Sequence, residues 1–502
     1  MNLLKSLVAS AILASAITAG ATSPERIVLI HTNDTHSHID PTDDDTGGIL
    51  RRKVVIDSIR AAEPNSLLID AGDAVQGSVY FTLFGGEVER KMMNLLGYDY
   101  QIMGNHELDN GTSALADQWS QANATLLSTN YDLSATPLDT IVRSYDIREI
   151  GGRRIGLIAI NVDPYGLVSP EKYKGIRYLD GIKAANATAW HLRHNEKCDL
   201  IVAMTHIGFR SGPGYNDSDI ASQSEDIDII IGGHSHTRIA PGSPESKAVN
   251  ASGDTILIAQ TGSWGRELGV VTIEPDGEIR SALIPVNGRL DPLIQEADEA
   301  MLAPYRHAVD SILSIKVAVS TAKMGRGTPP LVNLISDIVD EIGSSMAGRK
   351  VDLALMNRGG IRCDLPKGTV TKGLLMEMLP FDNKVVLIEI KGSDLMDAFD
   401  VMASRGGDGV SSGVRASIDP DTKKATDVRI DGEPIDPDRI YLISTIDYLA
   451  EGGDYMAPLT RGKIVEGSMA RLYDDVISHL REGRRGRKIK PDATSRWQKS
   501  TH

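Results

Sequence analysis

Eight residues able to bind metals or move protons follow directly on short apolar runs. They are Asp34 and His36 in "VLIHTNDTHSH", Asp73 in "LLIDAGD", Asn105 and His106 in "QIMGNHELD", His206 in "IVAMTHIG", and His234 and His236 in "IIIGGHSHT". Carboxylates, imidazoles and one amide make a mixed nitrogen and oxygen donor set. Such a set suits first-row divalent ions such as zinc, manganese, cobalt or iron. One aspartate shared by two ions would hold them about 3.5–4 Å apart, the spacing of two-metal phosphoester chemistry. A water bound there is acidified, and charge developing on phosphoryl oxygens is neutralised. A lone histidine or aspartate is more often a surface or capping residue. Five apolar runs with the same polar ending point instead to one shared location.

The elements that must position these residues are legible in the same runs. Continuous apolar stretches predict strands buried on both faces. Helical stretches alternate with them up to about residue 290, which predicts a layered α/β domain. In open α/β sheets, sites form at the carboxyl ends of the strands. His31 falls inside its strand and is expected to be packed or hydrogen-bonded. His38 is left between a place behind the metal ligands and solvent.

The chain has 502 residues, too many for one core, so two domains are expected. A formal charge of −15 argues against a nucleic-acid polymer as partner. It leaves room for a small phosphorylated substrate whose charge is met by bound cations. The start, "MNLLKSLVASAILASAITAGATSPE", carries Lys5, a short apolar run and Ala19-Gly20-Ala21. It reads as a secretory leader over 1–21 and a periplasmic or secreted location. No later segment is apolar over the roughly 20 residues that an integral membrane helix needs. Cys198 and Cys363 are the only cysteines, expected in different domains and unbridged. Oligomeric state is not legible.

The order D-x-H, G-D, G-N-H-E, T-H and G-H-x-H resembles that of the calcineurin-like metallophosphoesterases. "DAGDAVQGS", "GNHELDNG" and "GGHSHT" narrow the resemblance to the secreted 5′-nucleotidase and UDP-sugar hydrolase family. The fold class this implies is α/β: an N-terminal four-layer calcineurin-like metallophosphoesterase sandwich plus a smaller mixed α/β C-terminal substrate-binding domain. The expected boundaries are 24–290 for the first, 291–316 for a linker helix, 317–480 for the second, and 481–502 for a basic, solvated tail. The resemblance assigns Asp34, His36 and His236 to one metal, and Asn105, His206 and His234 to another. Asp73 bridges them. The cofactors are then two divalent ions: zinc, manganese, cobalt or magnesium. His106 faces the substrate phosphate and Asp109 orients it.

"NRGGIR", "LPFDN" and "DYLAEGGDY" match the family's second domain. They imply Arg362 on the phosphate, Phe381 and Tyr448 stacked on the base, and Asp454 on the ribose hydroxyls. Asn357 and Asn383 are polar groups near the base, and Arg326 is a second phosphate contact. Position 448 is often Phe in the family, and Arg358 stands where a small residue is usual. The implied function is a secreted two-metal 5′-nucleotidase that releases nucleoside and phosphate. The alternatives are a UDP-sugar diphosphatase or a 2′,3′-cyclic-nucleotide phosphodiesterase on the same scaffold. More remote is a non-catalytic nucleotide-binding protein, which would have lost metal ligands.

Overall fold

The computed structural model describes residues 24–210, 214–482 and 488–500. The expected leader, 1–21, lies outside the described residues. Two sheets face each other in the N-terminal part. One runs in the order Ile279–Pro285, Glu267–Ile273, Ile27–Thr32, Ser66–Asp70, Tyr100–Ile102, Thr125–Leu127, Val142–Arg143. The other runs Lys247–Val249, Thr255–Ala259, Ile229–Ile231, Leu200–His206, Arg153–Asn161, Tyr145–Ile150.

Side-chain alternation along the central strands builds the layers. Ile27 and Leu29 turn into the space between the sheets, beside Leu67, Leu157 and Val202. Val28 and Ile30 turn the other way, onto Ile56 and Met92 of the helices Ile49–Ala62 and Glu87–Leu96. Behind the second sheet, Ile158 and Ile201 pack with Ala185 and Ile220 of the helices Gly181–Trp190 and Asp217–Gln223. Helix, sheet, sheet and helix give four layers, which is why the strands read as apolar throughout. The four-layer α/β sandwich implied by the motifs is therefore present.

The C-terminal part is mixed α and β, as expected. Its main sheet runs Gly409–Val410, Leu353–Met356, Ile440–Ile446, Val385–Lys391, Lys463–Gly467. The helix Pro329–Met346 covers it, burying Leu331, Ile335, Ile338 and Ile342 at helical spacing. Between the two parts runs the helix Glu296–Leu313. On one side Lys91 Nζ donates to Tyr305 OH (2.6 Å). On the other, its Leu302 and Val309 join a core shared with Leu375. Among the described residues no helix is long and apolar enough to cross a membrane. Neither cysteine is bridged, and burial pushes the Cys363 thiol up to about 12.

The end of the chain departs from the reading of a solvated basic tail. Lys488–Ile489 pairs in parallel with Lys316–Ser320, and Trp497–Lys499 with Val414–Ile418. Arg496 is only 3% exposed. Its Nη1 and Nη2 donate to Asp337 Oδ1 (2.7 Å) and Oδ2 (2.8 Å), and Nη1 also to the Val410 carbonyl (2.6 Å). A charge that composition assigns to water is instead neutralised by a bidentate pair inside the domain. Trp497 Nε1 donates to the Asp408 carbonyl (2.8 Å), anchoring the last strand.

His31 is packed, as expected, and 1% exposed. It lies opposite Gly269, where an added Cβ would stand 2.0 Å from its Nε2. Burial lowers its pKa from 6.5 to about 4. The folded state therefore holds it neutral, while the unfolded chain takes up a proton below 6.5. Stability from this group is full above pH 6.5 and is lost as pH falls toward 4, on the order of 3 kcal/mol in all. The denaturation midpoint should fall less between pH 7 and 5 in His31→Leu than in the wild type. Equal falls would remove His31 as a contributor.

Candidate active site

The register sets the strand ends level. Thr32 lies opposite Asp70, and Asp70 opposite Gln101, in one sheet; His206 lies opposite Asn161 in the other. The loops that leave these ends all open at one edge of the sandwich. Asp34 (φ 50°), His36 (47°), Asp73 (53°), His234 (78°) and His236 (53°) adopt left-handed backbone there. Such conformations are uncommon outside glycine and cluster at functional sites. They turn the side chains inward immediately after each strand. Gly104 completes the convergence: a Cβ there would stand 2.1 Å from Asp73 Oδ1, so only glycine lets the loop bearing Asn105 lie on Asp73.

Three sets of donor atoms lie within 4.8 Å of one another: Asp34, His36 and His236; Asp73, His206 and His234; and His36, Asp73 and His106. His234 Nδ1 is also 2.9 Å from Asn105 Oδ1. The lone pairs decide whether cations fit. His206 Nδ1 donates to the Ala71 carbonyl (2.7 Å), so its Nε2 is the nitrogen turned to the cluster. That nitrogen faces Asp73 Oδ2 at 3.1 Å and has no hydrogen-bond partner. His36 Nδ1 is likewise engaged by the Gln76 carbonyl (3.1 Å), and its Nε2 stands 2.8 Å from His236 Nε2. Asp34 Oδ1 is 3.5 Å from that same His236 nitrogen. Acceptors turned on acceptors require positive charge between them. Burial drives Asp34 up to about 7 and His234 down to about 3, while at His206 the Asp73 charge outweighs burial and raises the pKa to about 10. Buried carboxylates facing imidazoles are a donor set suited to divalent ions.

His106 is held differently. Its Nδ1 lies 2.9 Å from Asp109 Oδ2, and its backbone N–H donates to Asp73 Oδ1 (2.9 Å). Burial opposes its protonation, but Asp109 and Asp73 outweigh burial and raise its pKa. His38 turns away from the cluster, donating from Nδ1 to the His36 carbonyl (2.9 Å) and stacking on Trp264 at 4.7 Å.

A cleft of about 600 Å³ opens beside His106, lined by both parts of the chain. Asn105, His106 and Asp109 form one wall; Asn357, Arg362, Phe381, Asn383, Tyr448 and Asp454 belong to the other. The Phe381 ring lies 6.0 Å from His106, and the Arg362 guanidinium 5.7 Å from the Phe381 ring. Asn357 Nδ2 donates to Asp454 Oδ2 (2.6 Å), and Tyr448 OH to Asp454 Oδ1 (3.1 Å). Arg326 is not among the residues lining the cleft, although its charge adds to burial in lowering the Arg362 pKa.

Residues 27–238 match the model of the calcineurin-like phosphoesterases, and residues 311–461 that of the 5′-nucleotidase C-terminal domain. The chain therefore joins a calcineurin-like phosphoesterase domain to a 5′-nucleotidase C-terminal domain. It is 28% identical over 478 residues to Protein UshA of Yersinia enterocolitica, covering 85% of this chain and 86% of that one. It is 25% identical over 529 residues to the trifunctional nucleotide phosphoesterase protein YfkN of Bacillus subtilis, covering 94% of this chain. The chain spans about a third of YfkN, 34% of its length. The 5′-nucleotidase precursor from Thermus thermophilus superposes with a TM-score of 0.83 at 27% identity, over 95% of this chain and 100% of that chain.

With these two domains the protein is a metal-dependent phosphoric ester hydrolase. Two further residues support the site of this 5′-nucleotidase relative. Glu107 accepts the backbone N–H groups of Asp73 (3.0 Å), Ala74 (2.9 Å) and Gly104 (2.5 Å). Asn33 donates to Asp34 Oδ2 (2.6 Å) and accepts from the Thr261 N–H (2.8 Å). Both stand inside quoted motifs, next to the ligand candidates, and that adjacency is their only signal in the sequence.

Proposed function

We propose that the chain is a secreted or periplasmic two-metal 5′-nucleotidase that hydrolyses nucleoside 5′-monophosphates to nucleoside and phosphate. The observation that carries this reading is the cleft, which faces His106 on one side and Phe381, Tyr448 and Asp454 on the other. The leader-like sequence at 1–21 supports export. In this reading Asp34, His36 and His236 hold one ion, Asn105, His206 and His234 the other, and Asp73 both. The ions supply an acidified water and neutralise charge on the phosphoryl oxygens.

The chain's own residues do the rest. Arg362 grips the phosphoryl oxygens through its guanidinium. His106 holds a proton on Nε2 for the leaving ribose oxygen, and Asp109 fixes the opposite nitrogen. Phe381 and Tyr448 stack on the base. The Asp454 carboxylate accepts from the ribose hydroxyls, Asn357 orients it, and Asn383 contributes a polar group at the base. Arg326 acts from outside the cleft lining as a supplementary charge for the phosphate.

Phosphate release from AMP, UDP-glucose and 2′,3′-cyclic AMP tests this, before and after chelation and with manganese, cobalt or zinc returned. AMP should be the best substrate, with release lost to chelator and restored by metal. Release that survives chelation would sink the two-metal reading. Preference for UDP-glucose or the cyclic nucleotide would move the chain to another activity on the same scaffold.

A further inference from the structure

The stacking role asks only for the ring of Tyr448. Its hydroxyl is occupied in a way that stacking does not need. It accepts the backbone N–H of Asp454 (3.0 Å). Three acceptors surround its single proton: Asp454 Oδ1 at 3.1 Å, the Gly166 carbonyl at 3.2 Å and the Leu167 carbonyl at 3.3 Å. The carboxylate is the nearest and the only ionic one, and hydrogen bonds to charged acceptors are the stronger. Burial and the Asp454 charge raise the Tyr448 pKa, so the phenol keeps that proton.

Asp454 is thereby fixed at both oxygens. Oδ2 takes the Asn357 amide (2.6 Å) and Oδ1 the Tyr448 hydroxyl. A carboxylate oxygen accepts two hydrogen bonds. Each oxygen therefore keeps one acceptor position, and the pair suits two neighbouring hydroxyls, one on each. The turn that presents it is strained, with Asp454 at φ 52° and Tyr455 at φ 60°. It is held by the facing loop of the N-terminal part: the Gly166 carbonyl accepts the Asp454 N–H (2.8 Å). An added Cβ at Gly166 would stand 2.7 Å from the Tyr455 ring, so the two loops are in close contact.

We propose that the Tyr448 hydroxyl is a sugar-discriminating positioning group, which holds the Asp454 carboxylate in register for a vicinal ribose diol while the Asp454 N–H ties the turn to the Gly166 carbonyl. The proposal rests on the 5′-nucleotidase reading and goes beyond it by assigning ribose selectivity to this hydroxyl. Without it, Asp454 Oδ1 loses its partner and the carboxylate is free to rotate. Deoxyribose, with one hydroxyl of the pair missing, loses less from that change than ribose does.

The test compares AMP with 2′-deoxy-AMP in the wild type, Tyr448→Phe and Gly166→Ala, all loaded with manganese. Tyr448→Phe keeps the ring face and deletes only the hydroxyl. The ratio of kcat/KM for AMP over 2′-deoxy-AMP should fall about five- to tenfold, mostly through KM, as expected for the loss of one hydrogen bond of ordinary net strength. Gly166→Ala, which pushes on the same turn from the other domain, should lower the ratio in the same direction. A ratio that stays constant in Tyr448→Phe overturns the proposal, even if both rates drop together. So does a wild type that does not distinguish the two sugars. A wild type that releases no phosphate from AMP overturns the underlying 5′-nucleotidase reading, and the proposal with it. The wild-type AMP rate therefore separates the two failures.

Discussion

His106→Ala is expected to lower kcat for AMP by about two to four orders of magnitude, the usual worth of a positioned proton donor. The metal content of the protein should change little, because in the proposed assignment His106 is no ligand and all seven ligand residues remain. Leaving-group chemistry makes the role checkable. A ribose oxygen leaves as a strong base and needs a proton; p-nitrophenolate does not. The loss should therefore be much smaller with p-nitrophenyl phosphate than with AMP. Asp109→Asn should fall between wild type and His106→Ala, since the amide still accepts from Nδ1 but no longer favours the protonated ring. Equal losses on both esters would remove His106 as the proton donor and leave it a phosphate contact.

Glu107→Ala should cost stability and activity together. The substitution strips the acceptor from three backbone N–H groups, those of Asp73, Ala74 and Gly104. Glu107 is 6% exposed, so little water can replace it. A buried unsatisfied donor costs about 1–3 kcal/mol, so the sum is about 3 kcal/mol or more. These N–H groups belong to the two loops that carry Asp73 and Asn105, so the donor set should loosen and metal affinity fall. Glu107→Gln retains one oxygen. Oε2 accepts two of the three bonds, so Gln should recover part of both losses if its oxygen takes that place. Denaturation midpoints and metal titrations of the three proteins check this. An unchanged midpoint in Glu107→Ala would mean that the loops are held by their backbone alone.

Both predictions concern a site whose outline is readable without the fold. The strand ends are legible because burial on two faces forces uninterrupted apolar runs, and polar residues then mark where each run stops. A layered α/β domain follows from the same runs, and the resemblance to the calcineurin-like phosphoesterases supplies the number of layers. What is not legible depends on backbone direction and on distant partners. Asp34, His36 and Asp73 carry no letter for the left-handed backbone that aims them. Glu107 binds main-chain N–H groups, which have no letter in a sequence either. The loop that closes on the Tyr448 hydroxyl, at the Gly166 carbonyl, lies 282 positions earlier. Composition misplaces Arg496, because a basic, polar segment normally stays in water; its partner, Asp337, lies on a helix 159 positions earlier.

Those final strands make the order of synthesis matter. The N-terminal sandwich has its last strand, at the edge of the seven-stranded sheet, once Ile279–Pro285 has left the ribosome, and can begin to close from there. The C-terminal part finishes later. Its first strand, Lys316–Ser320, gains its second neighbour only with Lys488–Ile489, and Val414–Ile418 only with Trp497–Lys499. Until then Asp337 faces no guanidinium from Arg496, and two strand edges stay open to stray pairing. A translation stop or a proteolytic nick about ten residues short would thus leave the N-terminal sandwich intact beside a C-terminal part that never seals.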